Sequence, residues 1–385
     1  MTERKPTTRK RNRLTRRFLR PVLERLLQFT DIRVNFTRPW DLKVKDERVF
    51  RRVVLNGWLG LRDAYVDGDW ESADLEELLF RALPAGLGAF GALSPGSLIS
   101  NLVRRASERL LPPRPNLATD RYREMPYGFY SAFLDPYRQF RPGYFHATGD
   151  LALAQQERLA LICNQLRIGP DDHVLDLGCG WGGFARFAAE HHGCLVTGVT
   201  PSRDQAYHAR QATRGLRVEI REGDFRTLSG RYDKVLVSGT LENLAPKDRQ
   251  PLIGAMHSCV TRNGRVLIET INQGSPVHGA RPQMMPRPLF EAPLPSPVEV
   301  AATLQPMFAI HSWECLSDDY VLTLRAWRSN LTRRAGPLRP HYDARTLRAW
   351  DYHFANMAAL FRLGERQASH IVLTRPNARP EVSVQ

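Results

Sequence analysis

Cysteine is scarce in this chain of 385 residues: there are five, and none forms a Cys-x-x-Cys pair. That argues against a zinc site or a thioredoxin-like site, and so sparse and odd a set fits reduced thiols in a cytosol. No apolar run reaches the ~18 residues that a membrane-spanning helix needs. The basic N-terminus lacks the uninterrupted apolar stretch of a signal peptide. Acidic residues are in deficit, 40 Asp and Glu against 55 Lys and Arg, which gives a net charge of +15. The expectation is a cytoplasmic protein with an anionic partner, whether a membrane surface, nucleic acid or an acidic ligand. Any membrane contact is then peripheral.

Apolar residues make up 42% of the chain, enough for a sizeable core, and the length fits two domains. Nine Lys or Arg fall within residues 1–20, an expected flexible segment. Leu14, Phe18, Val22 and Leu26 recur every fourth residue among Arg16, Arg17, Arg20 and Arg25, the pattern of a basic amphipathic helix. It either packs on its own domain or lies on an anionic bilayer. Residues 21–111 are read as an N-terminal domain. They contain a turn at Asp67-Gly68-Asp69 and a capped helix start at Ser72 to Leu79. Pro112-Pro113-Arg114-Pro115-Asn116 marks a linker, 112–119, and 120–385 forms the larger domain.

In that larger domain a helical stretch, Leu151 to Leu166, precedes short apolar runs separated by helix-length segments. The runs are His173–Leu177, Leu195–Val199, Val218–Ile220, Lys234–Ser238 and Arg265–Ile268. Such alternation predicts an α/β fold: a doubly wound, mostly parallel, Rossmann-like sheet with a smaller, mainly helical N-terminal domain. Tyr320 to Leu324 and His370 to Leu373 are expected as added edge strands. Residues 273–298 are Pro-rich and read as a loop or lid.

The sharpest local signal is Val174-Leu175-Asp176-Leu177-Gly178-Cys179-Gly180-Trp181-Gly182-Gly183, a strand running into glycines and then a helix. Glycines allow positive φ and close backbone approach to a ligand at the carboxyl edge of the sheet. The spacing is not the G-x-G-x-x-G of a dinucleotide site, and no Walker Lys-Ser/Thr follows. Asp176, ahead of Gly178, Gly180 and Gly182, suits the cationic amino-acid end of a ligand. That points to S-adenosylmethionine. Ribose or adenine contacts are expected from Thr200 and Gln205. Asp224 is a candidate for adenine, with a helix-capping role as its alternative. Trp181 and Phe225 are expected to pack around the cofactor.

Several segments together resemble the cyclopropane-fatty-acid synthase family, which includes the mycolic acid cyclopropane synthases. They are Leu134-Asp135-Pro136-Tyr137, Gln155 to Leu159, Val174 to Phe184, Gly198 to Gln205, Leu241-Glu242-Asn243, Asp319-Tyr320 and Ala326-Trp327. Ala64 to Glu71 is similar to the N-terminal domain of the bacterial phospholipid-acting branch. The resemblance implies methyl transfer from S-adenosylmethionine to a cis double bond of a phospholipid acyl chain, followed by ring closure. It also implies that the N-terminal domain associates with lipid. The expected partner is an anionic phospholipid surface. A homodimer is left open, and no nucleic acid is expected, because no Asn-Pro-Pro-Tyr or Asp-Pro-Pro-Tyr segment follows the fourth strand.

The family's bound base is bicarbonate. Aligned by motif, its ligands correspond to Glu242 and Tyr320, which are kept, and to Pro142 and Glu269, which replace Cys and His. Asn243 and Met357 depart from the pattern as well. Three readings stay open. Glu269 supplies the carboxylate itself, pairing with Glu242 so that one raises the other's pKa. Or the chain is methylated and its cation resolved differently, giving a branched or unsaturated product. Or the chemistry is lost and the protein is a non-catalytic binder of cofactor or lipid. The plainer readings are an Arg pair or solvated strand end for Glu269 and a core tyrosine for Tyr320.

Overall fold

The computed structural model describes residues 19–28, 30–84, 125–274, 294–305 and 307–376. The expected linker 112–119, residues 1–18 of the basic segment and most of the Pro-rich segment 273–298 lie outside the described residues. The chain forms two units: 1–124 with 276–288 and 331–363, and 125–275 with 289–330 and 364–385. The expected continuous domain over 120–385 differs from this division. Residues 331–363, which carry the helix Ala344–Arg362, belong with the N-terminal unit.

In the N-terminal unit, β1 (Lys43–Val44) pairs antiparallel with β2 (Trp70–Glu71). The turn before β2 is the expected one: Gly68 has φ +81, and the Asp69 N–H donates to the Ala64 carbonyl. The helix Leu75–Ala82 starts where Asp74 accepts from the Glu77 N–H, as its capping pattern predicts. The chain before the turn is one helix, Arg48–Val66, kinked at Gly57. Arg348 ties Ala344–Arg362 into this unit, donating to the carbonyls of Tyr65 and Trp70. Of the basic amphipathic segment, Arg20–Leu27 is helical, and Leu23 and Leu27 are buried. That stretch packs on its own unit.

The second unit is built on a seven-stranded sheet. Its strands are β3 (His173–Leu177), β4 (Leu195–Thr200), β5 (Val218–Glu222), β6 (Tyr232–Ser238), β7 (Val260–Gln273), β8 (Ala309–Cys315) and β9 (Arg366–Thr374). The order is β5-β4-β3-β6-β7-β9-β8. The first five strands are parallel, and β9 runs antiparallel to both β7 and β8. Successive strand residues point to opposite faces. Val174, Val196, Leu236, Leu267 and Val372 therefore pack with Leu159 and Ile162 of the helix Leu151–Leu166. Leu175, Val235, Val237, Val266 and Ile371 pack on the other face against Leu252, Ile253 and Met256. Burial on both faces explains the continuous apolar runs.

Two edge assignments change. His370 to Leu373 lies in a strand, β9, as expected, but inside the sheet between β7 and β8 and not at its edge. Tyr320 to Leu324 is instead part of the helix Ser317–Arg333. Tyr320, Leu324, Trp327 and Leu331 are all buried at helical spacing, a period that a five-residue window cannot show. The edge strand beside β9 is β8, Ala309–Cys315, which is exposed or half-buried throughout and so gives no apolar run.

Candidate active site

The glycine loop has the geometry of a ligand cradle. Gly178 sits at φ +89, and a Cβ there would lie 2.6 Å from the Ser238 carbonyl oxygen. Gly180, at φ +53, has no atom within 4 Å of where a Cβ would be, so its face is open. Gly182, at φ +80, precedes the helix Gly183–His192. Asp176 is 1% exposed, and its Oδ2 has no hydrogen-bond partner among the described residues. Burial pushes its pKa up to about 7, the charge of Glu269 adds to the rise, and Arg158 opposes it. A buried carboxyl with an unmet acceptor fits a cationic ammonium ligand.

Of the other expected cofactor residues, Thr200 and Gln205 follow Val199, whose carbonyl accepts from the N–H groups of Gly178 and Cys179 in the loop. The Thr200 hydroxyl donates to Gln205 Oε1 at 2.8 Å at the end of β4. Asp224 accepts from the Arg226 N–H and pairs with its guanidinium, capping a short 3₁₀ turn as its alternative reading foresaw. Phe225 is buried in the core with Leu252 and Met256. Trp181 begins a run of touching rings. It meets Tyr127 at 5.2 Å and Tyr130 at 5.7 Å, and Tyr127 stacks on His208 at 4.0 Å. Tyr130 meets Phe140, Phe140 stacks on Trp327 at 4.8 Å, and Trp327 meets Tyr320 edge-on. A continuous aromatic wall thus links the glycine loop to Tyr320.

Strand register assembles the second part of the site. Ser238 pairs with Glu269, Glu269 with His370, and His370 with Glu314, one row across β6, β7, β9 and β8. Arg158, from the helix covering that face, donates from Nε to Glu269 Oε1 at 2.8 Å and from Nη2 to Oε2. His370 Nε2 lies 2.6 Å from Oε1, and the Ser238 hydroxyl donates to Oε2 at 2.7 Å. The Arg158 Nη1 donates to Gln139. Burial alone would raise the pKa of Glu269, but Arg158 and His370 hold it well below the usual carboxylate range.

Glu242 lies elsewhere, in the 3₁₀ turn Leu241–Asn243 after β6. It is fully buried and accepts from Arg141 Nη1 at 2.7 Å and from the Thr270 hydroxyl at 3.2 Å. Tyr320 is buried beside these charges, and burial pushes its phenol up to about 12, so it is a neutral donor. Thr270 follows Glu269 in β7, so the two acids are served from opposite faces of one strand.

This arrangement corrects the expected acidic pair. Glu242 and Glu269 each have their own arginine, and Glu269 is a saturated ion-pair anchor with a lowered pKa, not a base with a raised one. Its Arg-pair reading holds. The bicarbonate ligand set that the resemblance implies does not fit: Pro142 has no N–H to offer, and both oxygens of Glu269 are taken. Met357 is buried in the helix Ala344–Arg362 of the N-terminal unit. Sequence reasoning missed Arg141, Arg158, Ser238, His370 and Thr270. Arg158 stood inside the segment Gln155 to Leu159, and Arg141 stood next to Pro142. The others depend on register, which leaves no local signal.

The comparisons with known proteins agree with this architecture. The pattern of the family described as mycolic acid cyclopropane synthetase matches residues 120–371. The chain is 29% identical to the cyclopropane-fatty-acyl-phospholipid synthase of Escherichia coli strain K12 over 92% of its own length and 93% of that protein. It is 26% identical to the tuberculostearic acid methyltransferase UfaA1 of Mycobacterium tuberculosis, covering 83% of this chain and 79% of the other. The fold is similar to that of mycolic acid cyclopropane synthase CmaA1 complexed with SAH and CTAB, with a TM-score of 0.61 and 22% identity over 64% of this chain and 94% of that one. With the glycine loop, the sheet order and the match over 120–371 in place, the chain belongs to the mycolic acid cyclopropane synthetase family of S-adenosylmethionine-dependent methyltransferases.

Proposed function

We propose that this protein methylates cis-unsaturated acyl chains of membrane phospholipids in the manner of cyclopropane-fatty-acid synthesis. The observation that carries this reading is the join between two features. A cofactor cradle with an unmet buried carboxylate, Asp176, connects through an aromatic wall to a corner holding Glu242, Arg141 and Tyr320. S-adenosylmethionine, when bound, supplies an electrophilic methyl group.

The chain's own residues meet the remaining demands. Gly180 leaves room for close approach, and Asp176 takes the ammonium end. An alkene is a weak nucleophile, so holding it in reach of the methyl provides much of the rate. Positive charge then develops on the acyl chain, where the faces of Trp181, Tyr130, Phe140 and Trp327 stabilise it and their bulk excludes water. Glu242 remains as the carboxylate that accepts the departing proton, oriented by Arg141 and Thr270.

A second reading of the product has its own support. With Glu269 locked and Pro142 offering no donor, proton loss depends on which carbon Glu242 reaches. A methyl-branched or unsaturated lipid is then the outcome in place of a ring. Incubating the protein with labelled S-adenosylmethionine and vesicles of unsaturated phospholipid tests both readings. Lipid-borne label is expected. The upfield proton resonances of a cyclopropane distinguish a ring from a branch, and label absent despite cofactor binding would refute methylation.

Contact with the bilayer is peripheral in this proposal. No helix among the described residues is long and apolar enough to cross a membrane. The basic N-terminal segment supplies electrostatic attraction, each Lys or Arg near the surface contributing about 1 kcal/mol. Deleting residues 1–18 should weaken binding to anionic vesicles several-fold at low salt and less at high salt. Equal binding in a sedimentation assay would remove this role.

A further inference from the structure

Arg141 is only half engaged. Its Nη1 donates to Glu242, but Nε and Nη2 have no partner among the described residues, although the side chain is only 16% exposed. These two donors are open to a ligand, and Nε with Nη2 forms a planar fork that matches a carboxylate.

The fork lies beside the glycine loop. A Cβ on Gly239 would stand 1.3 Å from Arg141 Nη2, so the guanidinium covers the bare Cα of Gly239, which has φ +67. The residues on either side of Gly239 touch the loop: a Cβ on Gly178 would meet the Ser238 carbonyl at 2.6 Å and Thr240 Oγ1 at 2.7 Å. Two residues upstream of Arg141, the Gln139 side chain covers Gly183, at the start of the helix that leaves the loop: a Cβ there would stand 2.2 Å from Nε2, with the Tyr137 carbonyl nearer still at 1.8 Å. The strand-end turn and the 137–141 segment therefore bring a half-buried cation to a cradle that already holds a buried carboxyl, Asp176.

An α-amino acid end carries an ammonium and a carboxylate on one carbon. Asp176 provides for the first and nothing assigned so far provides for the second. We infer that the Nε–Nη2 edge of Arg141 binds the α-carboxylate of the cofactor, so that Arg141 joins cofactor binding to the orientation of Glu242 through its other edge. The inference rests on the cofactor reading of the glycine loop and adds a residue to it. Gly239 is its structural requirement, because any side chain there would displace the guanidinium.

Calorimetry with S-adenosylhomocysteine and its decarboxylated analogue tests this on the full chain. Wild type should bind the analogue at least tenfold more weakly. R141Q should lose affinity for S-adenosylhomocysteine by a similar factor while binding the analogue about as wild type does, and R141K should fall between. Because R141Q leaves Glu242 buried without its cation, the double variant R141Q/E242Q repeats the measurement with that charge removed. Equal discrimination in wild type and both Gln variants would overturn the assignment. So would affinity or turnover that rises with added bicarbonate in wild type and not in R141Q, which would put a free carbonate on the fork. No binding of either compound by wild type would overturn the cofactor reading itself, and the inference with it.

Discussion

Glu269 and Glu242 are both buried carboxylates at the carboxyl edge of the same sheet, yet their surroundings differ in kind. Glu269 sits in a row of side chains set by strand register and accepts from Arg158, Ser238 and His370, which leaves no oxygen free. Glu242 sits in a turn, shares one edge of Arg141 and a longer bond from Thr270, and stands beside Tyr320 at the end of the aromatic wall. The first environment fixes charges so completely that they serve architecture. The second leaves donors and acceptors partly unmet, which is the condition for binding and chemistry. Residue type alone, Glu in both places, does not separate the two.

The largest effect should come from breaking the saturated side. Arg158→Met would leave Glu269 buried with only His370 and Ser238, and removal of one partner of such a pair costs about 3–5 kcal/mol. Denaturant unfolding should show that loss, and a change below about 1 kcal/mol would mean that the row is not the anchor described. The pair also fixes a pH dependence. The pKa of Glu269 is lower folded than unfolded, so its stabilisation is complete above the unfolded value of about 4.3 and fades as the pH falls through the folded value.

The next contrast is between the two acids in catalysis. Glu242→Gln should lower turnover on labelled lipid by about 10²-fold or more, with cofactor affinity within a few-fold of wild type. Glu269→Gln should act mainly through stability, visible as a lowered melting temperature. If it instead cut turnover selectively in a fully folded protein, the division of roles would be reversed.

A smaller effect concerns Asp176. Its folded pKa of about 7 lies above the unfolded value of about 3.9, so the cofactor-free protein loses stability as pH rises through that window. The ammonium end of the ligand prefers the ionised carboxylate. Affinity for S-adenosylhomocysteine should therefore climb toward pH 7 by up to about tenfold per unit below it. Asp176→Asn should flatten both slopes, and an unchanged profile in that variant would assign them to another group.

The parallel strands and the glycine loop were legible because each is local. β3 is a five-residue strand with Val174, Leu175 and Leu177 buried, followed at once by glycines, and the helix Leu151–Leu166 begins at an Asp N-cap and has an apolar face. Tyr320 was not legible as a helix residue, since its helical period spans more residues than the apolar run that drew attention to it. Glu269 was found for the wrong reason. Its position was visible, but the partners that hold it, Arg158 and His370, come from residues 111 earlier and 101 later in the chain.

Sequence by itself determined the five parallel strands and the glycine loop after the first of them, because short apolar runs and glycine's freedom at positive φ act within a few residues. Only the tertiary structure decided which charges meet. Parallel crossovers and an antiparallel final strand bring Ser238, Glu269, His370 and Glu314 into one row, and a covering helix adds Arg158. In a buried setting the state of each carboxylate follows from those neighbours, through desolvation and short-range attraction, and not from its own identity.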